Sequence, residues 1–512
     1  MGKLKIGWAL RDVSTTEPVN LIGQFEKRIS KGIADPIYVT ALVIDDSEDC
    51  VIFLSMDAVV LRCGILDEIR DNIAAMNPQI PVMKVLANAT HTHSSPQHTF
   101  GDSHDYKGIS IEASFDLFPH EGTYIASPDE YRHFLAKQAA EAVCEAWENR
   151  CAGGISYGYG FAVVAHSRRV VYFDDLSERA GAVHNSTHGV NGHAAMYGNT
   201  NDENFSHYEA GADHFINLLF THDADGKLTG VIVNLPCPSQ NSEMNDHITA
   251  DYWSDVRREL QKRFGPIHVL PQCAAAGDLS PRLLHYQKAQ DRRFRLKYGA
   301  AEDLQRDERE LCARKDIAAR VAEAADEVYS WASKEILYEL PVRHRVEEIL
   351  LTRRRITDEE YKNELAEYAE VLKKPFMEEG TPEEMLFYNS TLAAIRLRHE
   401  QIIRRYEEQD SNGKLPMELH TLRIGDVAFA SNRFELYMDY QHRIQARSPF
   451  EQTFIVQLAG QPGEEGGTYL CTERGAWGRG YSASRYCNVV SPEGGQELVE
   501  ATLRALREIS SE

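Results

Sequence analysis

The sequence lacks the features that identify several large classes of protein. No stretch approaches the ~20 apolar residues of a membrane-spanning helix. Basic residues are few, since 55 Lys and Arg face 78 Asp and Glu, and the net charge of -23 argues against a nucleic-acid surface. No Gly-x-x-x-x-Gly-Lys-Ser/Thr loop occurs, and the glycines of 154–160 do not form a dinucleotide-binding fingerprint. We therefore expect a small-molecule substrate, with no nucleic-acid partner and no membrane span.

Disulfide spacing and a signal core are also absent. The nine cysteines are odd in number and have no close regular spacing, which is typical of reduced thiols. The first residues lead directly into strand-like sequence without an apolar signal core. Both observations predict a cytoplasmic protein.

What is present up to about residue 280 is an alternation of strand and helix patterns. Compact apolar runs at 38–44, 51–56 and 82–87 predict buried strands, whereas 65–76 and 131–149 have helical spacing. This alternation predicts an α/β fold with layered mixed β-sheets and covering helices. Further strands are predicted at 153–164, 215–220, 230–235 and 267–270, and a further helix at 251–264.

Residues 285–415 differ, because they are dense in Arg, Lys, Glu and Ala and have long helical patterns. Strand patterns return at 418–430 and 453–459, and a last helix is predicted at 492–509. We therefore predict a discontinuous catalytic domain, 1–284 and 416–512, interrupted by an α-helical insertion at 285–415 that is a candidate surface for homo-oligomerisation. Within the insertion we predict helices at 303–329, 358–374 and 382–409 and a strand at 341–352.

The segment with the most candidate catalytic or metal-binding side chains is Thr90-His91-Thr92-His93-Ser94, just after the run 82–87. If that run is a strand, period-2 alternation puts His91 and His93 on the same face. Such a pair is half of a zinc site, which needs a carboxylate or thiolate from elsewhere. Two histidines that are satisfied by hydrogen bonds at a turn explain the pattern equally well.

Four later segments follow predicted strands or lie in a Gly-rich loop. Cys237 lies between two prolines, Asp278 and Ser280 follow a run of small residues, and Glu435 follows the strand that ends near 430. Each segment alone is also explained as a structural turn. The segments are 234–240, 274–281, 431–435 and 467–472.

Together these segments resemble the neutral/alkaline non-lysosomal ceramidases. The specific matches are Thr-His-Thr-His-Ser and the Gly-Asp-Leu-Ser-Pro of 277–281, with a strand-end Glu and a later Tyr; the opening strands, 31–45, and Asp57 are also similar. The resemblance covers 1–284 and 416–512 and is that of a divergent, bacterial-type member. It implies an enzyme that uses one zinc ion to hydrolyse an amide.

The resemblance also implies the ligands of that zinc, which are two His, a Glu and a Tyr in the family. The matching residues are His91, Glu435 and Tyr469, with Tyr481 as the alternative tyrosine. The second histidine is missing, and Cys237 stands in its place.

This replacement leaves several possibilities open. A thiolate is a good zinc ligand, but a buried cysteine is usually an inert small hydrophobe. Cys237 is a candidate ligand, His247 is a candidate replacement, and the site could also bind another metal or none.

The remaining matches have other roles in the family. The resemblance implies that His93 donates to the substrate oxygen or shuttles a proton, and that Arg168 stabilises an oxyanion. It implies that Ser280 contacts the reacting amide. Asp57 and Asp278 are interpreted as supporting carboxylates.

The substrate is predicted from what surrounds these motifs. The loop 98–129 is polar, and no apolar run is suited to a membrane surface. We therefore expect a small, polar, water-soluble substrate rather than ceramide, attacked by zinc-activated water. The alternatives are a carbohydrate- or cyclitol-active hydrolase or lyase on the same fold, and a non-enzymatic assembly module.

Overall fold

The computed structural model describes residues 2–99, 124–182, 190–463 and 468–512. Two β-sheets pack face to face and helices cover their outer faces, which confirms the α/β class with layered mixed sheets. Most of the polar loop 98–129 and Gly467 lie outside the described residues. Within them, no helix combines the length and apolarity needed to cross a membrane.

The larger sheet is apolar on both faces. Strands Tyr38–Asp45 and Cys50–Met56 are almost continuously buried, as expected where both faces are covered. The sheet curls so that its edge strands approach, because Ser55 Oγ and Asn88 Nδ2 both donate to the Pro271 carbonyl, at 2.6 and 3.2 Å. Its strands, in spatial order, are His268–Cys273, Leu228–Leu235, Phe215–Asp223, Cys151–Phe161, Lys5–Asp12, Tyr38–Asp45, Cys50–Met56 and Val85–Ala89, of which the first two and the last two pair in parallel.

The smaller sheet packs on the larger one through aromatic side chains. The Phe429 ring lies 4.8 Å from that of Phe53 in the larger sheet and 4.3 Å from that of Phe454. Its strands are Val342–Thr352, Lys414–Ile424, Val427–Ser431 and Gln452–Val456. Short pairs are Gly2–Lys3 with Glu339–Leu340, Asn20–Leu21 with Arg28–Ile29, His166–Ser167 with Leu279–Ser280, and Glu435–Leu436 with Tyr469–Leu470; Arg169–Tyr172 joins Ala194–Met196 and Phe205–Tyr208.

Helices cover the sheets because each presents one apolar side. Helix Ile65–Met76 buries Ile65, Ile69 and Ile73 at intervals of four. The larger sheet is covered by Ile65–Met76, Pro128–Glu148, Tyr252–Phe264 and Arg306–Ala332, and the smaller one by Met438–Gln445 and Pro492–Ser510. The other helices are Gln287–Tyr298, Asp358–Leu372, Pro382–Glu408 and Glu473–Gly478.

Two predicted strands have different bounds. Residues 82–84 form a 3-10 turn in which Lys84 N donates to Pro81 O at 2.8 Å, so the strand begins at Val85 and continues to Ala89. The predicted strand 418–430 is a hairpin that turns at Gly425, whose φ of 64° suits glycine.

The 285–415 region contains the predicted helices and also contributes to the sheets. Its strand Val342–Thr352 pairs along its whole length with Lys414–Ile424. Its helix Arg306–Ala332 covers the larger sheet. The division into a catalytic domain and an insertion, and a role of the insertion in homo-oligomerisation, stay predictions.

Candidate functional site

His91 lies in the loop that follows strand Val85–Ala89 and not on the strand itself. Its backbone has a φ of 67°, and its amide donates to Ala58 O at 2.9 Å. A left-handed backbone at a non-glycine residue is uncommon and is frequent at functional sites. The alternation argument for the two histidines is therefore wrong, since His91 is beyond the strand. Their rings nevertheless meet, with 3.3 Å between the Nε2 atoms.

A hydrogen bond to the backbone orients the ring of His91. The ring is buried, and Nδ1 lies 2.8 Å from the carbonyl oxygen of Val59. Because a carbonyl only accepts, Nδ1 carries a hydrogen, and Nε2 is the ring nitrogen that faces the rest of the site. That Nε2 lies 3.4 Å from Glu435 Oε2, so an imidazole nitrogen and a carboxylate oxygen converge at a buried point.

Glu435 and Tyr469 meet because their short strands pair in parallel, with the two residues in register. The Tyr469 phenol hydrogen-bonds to Glu435. Burial alone would raise the pKa of Glu435, but His91 and Arg168 hold it below its ordinary value. The carboxylate is therefore ionised, and it forms a cluster with the His91 imidazole and the Tyr469 phenol.

Arg168 is buried beside this cluster. One guanidinium nitrogen, Nη2, lies 3.0 Å from Tyr469 Oη and 3.5 Å from Glu435 Oε2, and it donates to Gly277 O at 2.8 Å. Burial opposes its charge, but neighbouring Tyr469, Tyr197 and Glu435 hold the pKa of Arg168 well above its ordinary value. A fixed cation is thus available next to the site.

His93 has polar neighbours on both ring nitrogens. Its Nε2 lies 2.9 Å from Gln240 Nε2, and its Nδ1 lies 3.4 Å from Glu243 Oε2. Burial and then His91 hold the pKa of His93 well below its ordinary value, so its ring is neutral. Gly23 lies directly against this ring, since a Cβ there would be 2.7 Å from His93 Cγ.

Ser280 is connected to the site through Tyr197. Its Oγ lies 3.3 Å from Tyr197 Oη and accepts from the Arg282 amide at 3.2 Å. Tyr197 also hydrogen-bonds Arg168. The serine thus belongs to the polar surroundings of Arg168.

The structure does not bring the Cys237 thiol into the cluster. Cys237 is fully buried among apolar core residues, and its Sγ lies 3.5 Å from Val164 O and 3.7 Å from Pro238 O. Burial raises the pKa of this thiol well above its ordinary value. Among the described residues, no contact joins it to His91 or Glu435.

The structure also shows the surroundings of His247 and Tyr481, the two alternative ligands. His247 Nδ1 lies 3.0 Å from Asn245 Oδ1. The Tyr481 ring packs edge-on against that of Tyr469, with 6.0 Å between centroids, and Tyr469 is the one in register with Glu435. Within the described ranges, no group of three or more His, Cys, Asp and Glu is arranged to hold a metal ion.

Asp57 and Asp278 contact the scaffold. Asp57 accepts two hydrogen bonds from Arg257, at 2.7 and 3.1 Å. Asp278 accepts from the Met438 amide at 3.0 Å, and burial raises the pKa of its carboxyl to about 6. Their supporting role for the site stays a prediction.

Several residues of the site were not predicted from the sequence. Gln240 and Arg282 were within reach of the motifs, because they follow Cys237 by three residues and Ser280 by two. Glu243 forms an ion pair with Arg282. No sequence pattern indicated Tyr197, which follows strand Ala194–Met196 of the separate three-stranded sheet.

Comparisons with known proteins show a similarity in fold alone. No family model and no curated protein matches the chain. The solved neutral ceramidase from Pseudomonas aeruginosa matches with a TM-score of 0.64 and 16% identity over 99% of this chain and 75% of that chain. A ceramidase complexed with C2 matches with a TM-score of 0.63 and 15% identity, over 99% and 76%.

The match extends beyond the motifs that first indicated it. A coverage of 99% includes most of residues 285–415, which the motif resemblance left out. The two packed sheets with their covering helices and the cluster of His91, Glu435 and Tyr469 occur together in this chain. The chain has the fold of the neutral ceramidases.

Proposed function

We propose that this chain is a metal-dependent hydrolase of a small polar amide. The observation that supports this most directly is the convergence of His91 Nε2 and Glu435 Oε2, 3.4 Å apart, with the Tyr469 phenol beside the carboxylate. Imidazole nitrogens and carboxylate oxygens are both common zinc ligands. The amide is favoured because the two ceramidases share the fold.

The donor set fits a divalent ion such as zinc. His91, Glu435 and Tyr469 would hold it, since catalytic zinc commonly has three protein ligands and an open position. The third donor is a phenol, so the set differs from clusters made only of His, Cys, Asp and Glu. Cys237 is not included, because its thiol contacts core carbonyls. When bound, such an ion polarises a carbonyl and lowers the pKa of a bound water.

The other residues of the site would act on the substrate directly. His93 is neutral and is proposed to accept a proton at Nε2 and return it to the leaving amine. Arg168 is proposed to stabilise the developing oxyanion, since its charge is fixed by buried neighbours. Ser280 and Tyr197 are proposed to position the amide through their hydroxyls.

The test combines metal content with activity. We expect about one equivalent of zinc in the purified protein, and loss of both metal and activity in His91→Ala and Glu435→Ala. The matched control is His247→Ala, because His247 lies in a nearby loop and contacts Asn245. Full metal content in His91→Ala would contradict the proposal.

A second candidate is a hydrolase or lyase acting on a carbohydrate or cyclitol. The side chains around His93 favour it, because Gln240, Glu243 and Arg282 offer hydrogen-bonding groups for hydroxyls. A panel of N-acyl compounds and glycosides separates the two. Turnover of acyl amides alone would remove the second candidate.

A further inference from the structure

A short hairpin packs against the loop that carries His93. Its two strands, Asn20–Leu21 and Arg28–Ile29, pair in antiparallel. The amide of Ile22, which follows the first of them, donates to Ser95 O at 3.1 Å. The hairpin and the histidine loop are therefore joined through their backbones, two residues beyond His93.

The guanidinium of Arg28 is buried and contacts three segments of the chain. Its Nη2 donates to His93 O at 2.5 Å and to Ile22 O at 3.4 Å, and its Nη1 donates to Asn245 O at 2.8 Å. Asn245 belongs to the same loop as Gln240, whose side chain contacts the His93 ring. One side chain thus holds the backbone of His93 to the hairpin and to this loop.

The bond from Arg28 is the stronger of the two that restrain the backbone of His93. The His93 amide donates to Ser239 O at a long 3.4 Å, whereas its carbonyl accepts from the guanidinium at 2.5 Å. Burial lowers the pKa of Arg28, but a guanidinium stays ionised in proteins. Hydrogen bonds from an ionised donor are roughly twice as strong as those between neutral groups. Arg28 therefore supplies the main restraint on this backbone.

The hairpin also contacts the ring of His93 and one of the partners of that ring. Gly23 lies against the ring, and Gln24 Nε2 donates to Glu243 O at 3.4 Å. The Glu243 carboxylate faces the ring as well, with Oε2 at 3.4 Å from His93 Nδ1. A shift of the hairpin would therefore move the backbone, the ring and the carboxylate together.

We propose that Arg28 is a positioning residue for His93, because its guanidinium holds the backbone from which the imidazole reaches the site. In this position His93 Nε2 lies 3.3 Å from His91 Nε2 and 2.9 Å from Gln240 Nε2. The inference rests on the proposed function, in which His93 accepts a proton at Nε2 and returns it. A misplacement of about 1 Å lowers a catalysed rate by a factor on the order of a hundred.

The first test is Arg28→Met, which keeps an apolar stem and removes all three hydrogen bonds. With the N-acyl compound that the unsubstituted protein hydrolyses fastest, kcat should fall about tenfold to a hundredfold, and KM should change by less than about threefold. Metal content should equal that of the unsubstituted protein, because Arg28 hydrogen-bonds none of the proposed ligands. An unchanged kcat would overturn the proposal.

The matched control is Arg423→Met, which removes the same kind of contact far along the chain from His93. Arg423 also donates to three backbone carbonyls, those of Gly425, Ile509 and Ser510, at 3.0–3.2 Å. This variant should lose stability and keep its kcat. A similar fall of kcat in both variants would overturn the proposal, because general loosening of the fold would then explain the effect of Arg28→Met.

A further readout needs no substrate. The imidazole nitrogen NMR signals of His93 should shift in Arg28→Met and stay in place in Arg423→Met. Arg28→Lys keeps the test informative if Arg28→Met folds poorly, since it retains a cation without the planar fork, and it should shift the same signals. Unchanged His93 signals in Arg28→Lys would overturn the proposal. Failure to hydrolyse any amide would instead contradict the proposed function and leave the positioning of His93 to these signals.

Discussion

The two sides of the candidate site are held by different kinds of contact. The histidine side, residues 90–94, adds side-chain hydrogen bonds to backbone ones such as His91 N to Ala58 O: Thr92 Oγ1 donates to Thr249 O at 2.7 Å, and Ser94 Oγ donates to Ser242 O at 3.0 Å. The carboxylate side, Glu435–Leu436 and Tyr469–Leu470, is held mainly by backbone pairing. Its backbone is further held by Gly277 N, which donates to Leu436 O at 2.8 Å.

This difference predicts how each side responds to substitution. Backbone pairing does not depend on the identity of any one side chain, whereas a side-chain hydrogen bond is lost with its donor or acceptor. The histidine side should therefore be disturbed by substitutions far from it. Helix Arg306–Ala332 provides one such support, since its Arg314 contacts Asp35, which accepts from Thr249.

The largest effect is expected from Arg314→Met on that helix. Arg314 is buried and donates to Asp35 at 2.6 Å and to Asp255 at 2.8 Å. Asp35 in turn accepts from Thr249 Oγ1 at 2.7 Å. Removing the buried cation leaves both carboxylates with Arg258, a half-exposed partner, as their remaining cation, which should lower the free energy of unfolding by about 3 kcal/mol. Urea denaturation measures this loss.

The control is Arg320→Met on the same helix. Arg320 is partly exposed and pairs with Asp316, so its loss should cost about 1 kcal/mol or less. Equal losses for the two variants would contradict the importance of the buried network. A fall in kcat confined to Arg314→Met would place its effect at the histidine side.

The next effect concerns how the free energy of unfolding depends on pH. This dependence has opposite signs for one carboxyl group on each side of the site. Burial raises the pKa of Asp278, on the carboxylate side, to about 6 from an ordinary 3.8. The folded state then binds more protons between these values, so this contribution to stability is full below pH ~4 and is lost as the pH rises through about 6. The free energy of unfolding of Asp278→Asn, measured relative to that of the unsubstituted protein, should rise by about 2–3 kcal/mol between pH 4 and pH 8.

Asp35, on the histidine side, is the counterpart. Burial opposes its charge, but Arg314 and Thr249 hold its pKa below the ordinary value. Its contribution is therefore present above its unfolded pKa and lost as the pH falls through the folded one. Unfolding curves at pH 4 and 8 for Asp278→Asn and Asp35→Asn should diverge in opposite directions, and parallel pH profiles would refute this.

A smaller effect is expected from Gly23→Ala, which tests the contact behind His93. The new Cβ would lie 2.7–2.8 Å from three His93 atoms, at a φ of 117°. Displacement of the ring should cost about 2 kcal/mol and lower kcat. Gly64→Ala is the matched control, because its φ of 75° is also positive but nothing lies within 4 Å, and it should cost about 1 kcal/mol with kcat unchanged. If both variants keep full activity, the Gly23 contact does not position His93.

The sequence predicted the elements in which buried side chains recur at regular intervals. The helix 65–76 has the observed bounds, because Ile65, Ile69 and Ile73 mark one buried side. The prediction of a strand at 82–87 was wrong at its start. Residues 82–84, after Pro81, form a 3-10 turn, and the parallel pairing begins at Val85. An apolar run alone does not show where pairing starts.

The motif resemblance named three residues that lie together in the structure, His91, Glu435 and Tyr469. Their role as metal ligands stays a prediction. For Cys237, position in the motif did not reveal the direction of the side chain, since its Sγ lies 3.5 Å from Val164 O while Gln240, three residues on, contacts His93. Such contacts join distant segments, so no local pattern encodes them.

The smallest expected effect comes from Thr92→Val, which removes one hydroxyl of the histidine side and nearly keeps its shape. The loss of the hydrogen bond to Thr249 O should cost about 1 kcal/mol. It should also shift the imidazole nitrogen NMR signals of His91 and His93, because Thr92 lies between them. Thr472→Val is the carboxylate-side control, since Thr472 Oγ1 accepts from the Gly475 amide at 3.2 Å. It should cost about as much and leave those signals unchanged. Equal shifts in both variants would mean that the two sides are not held independently.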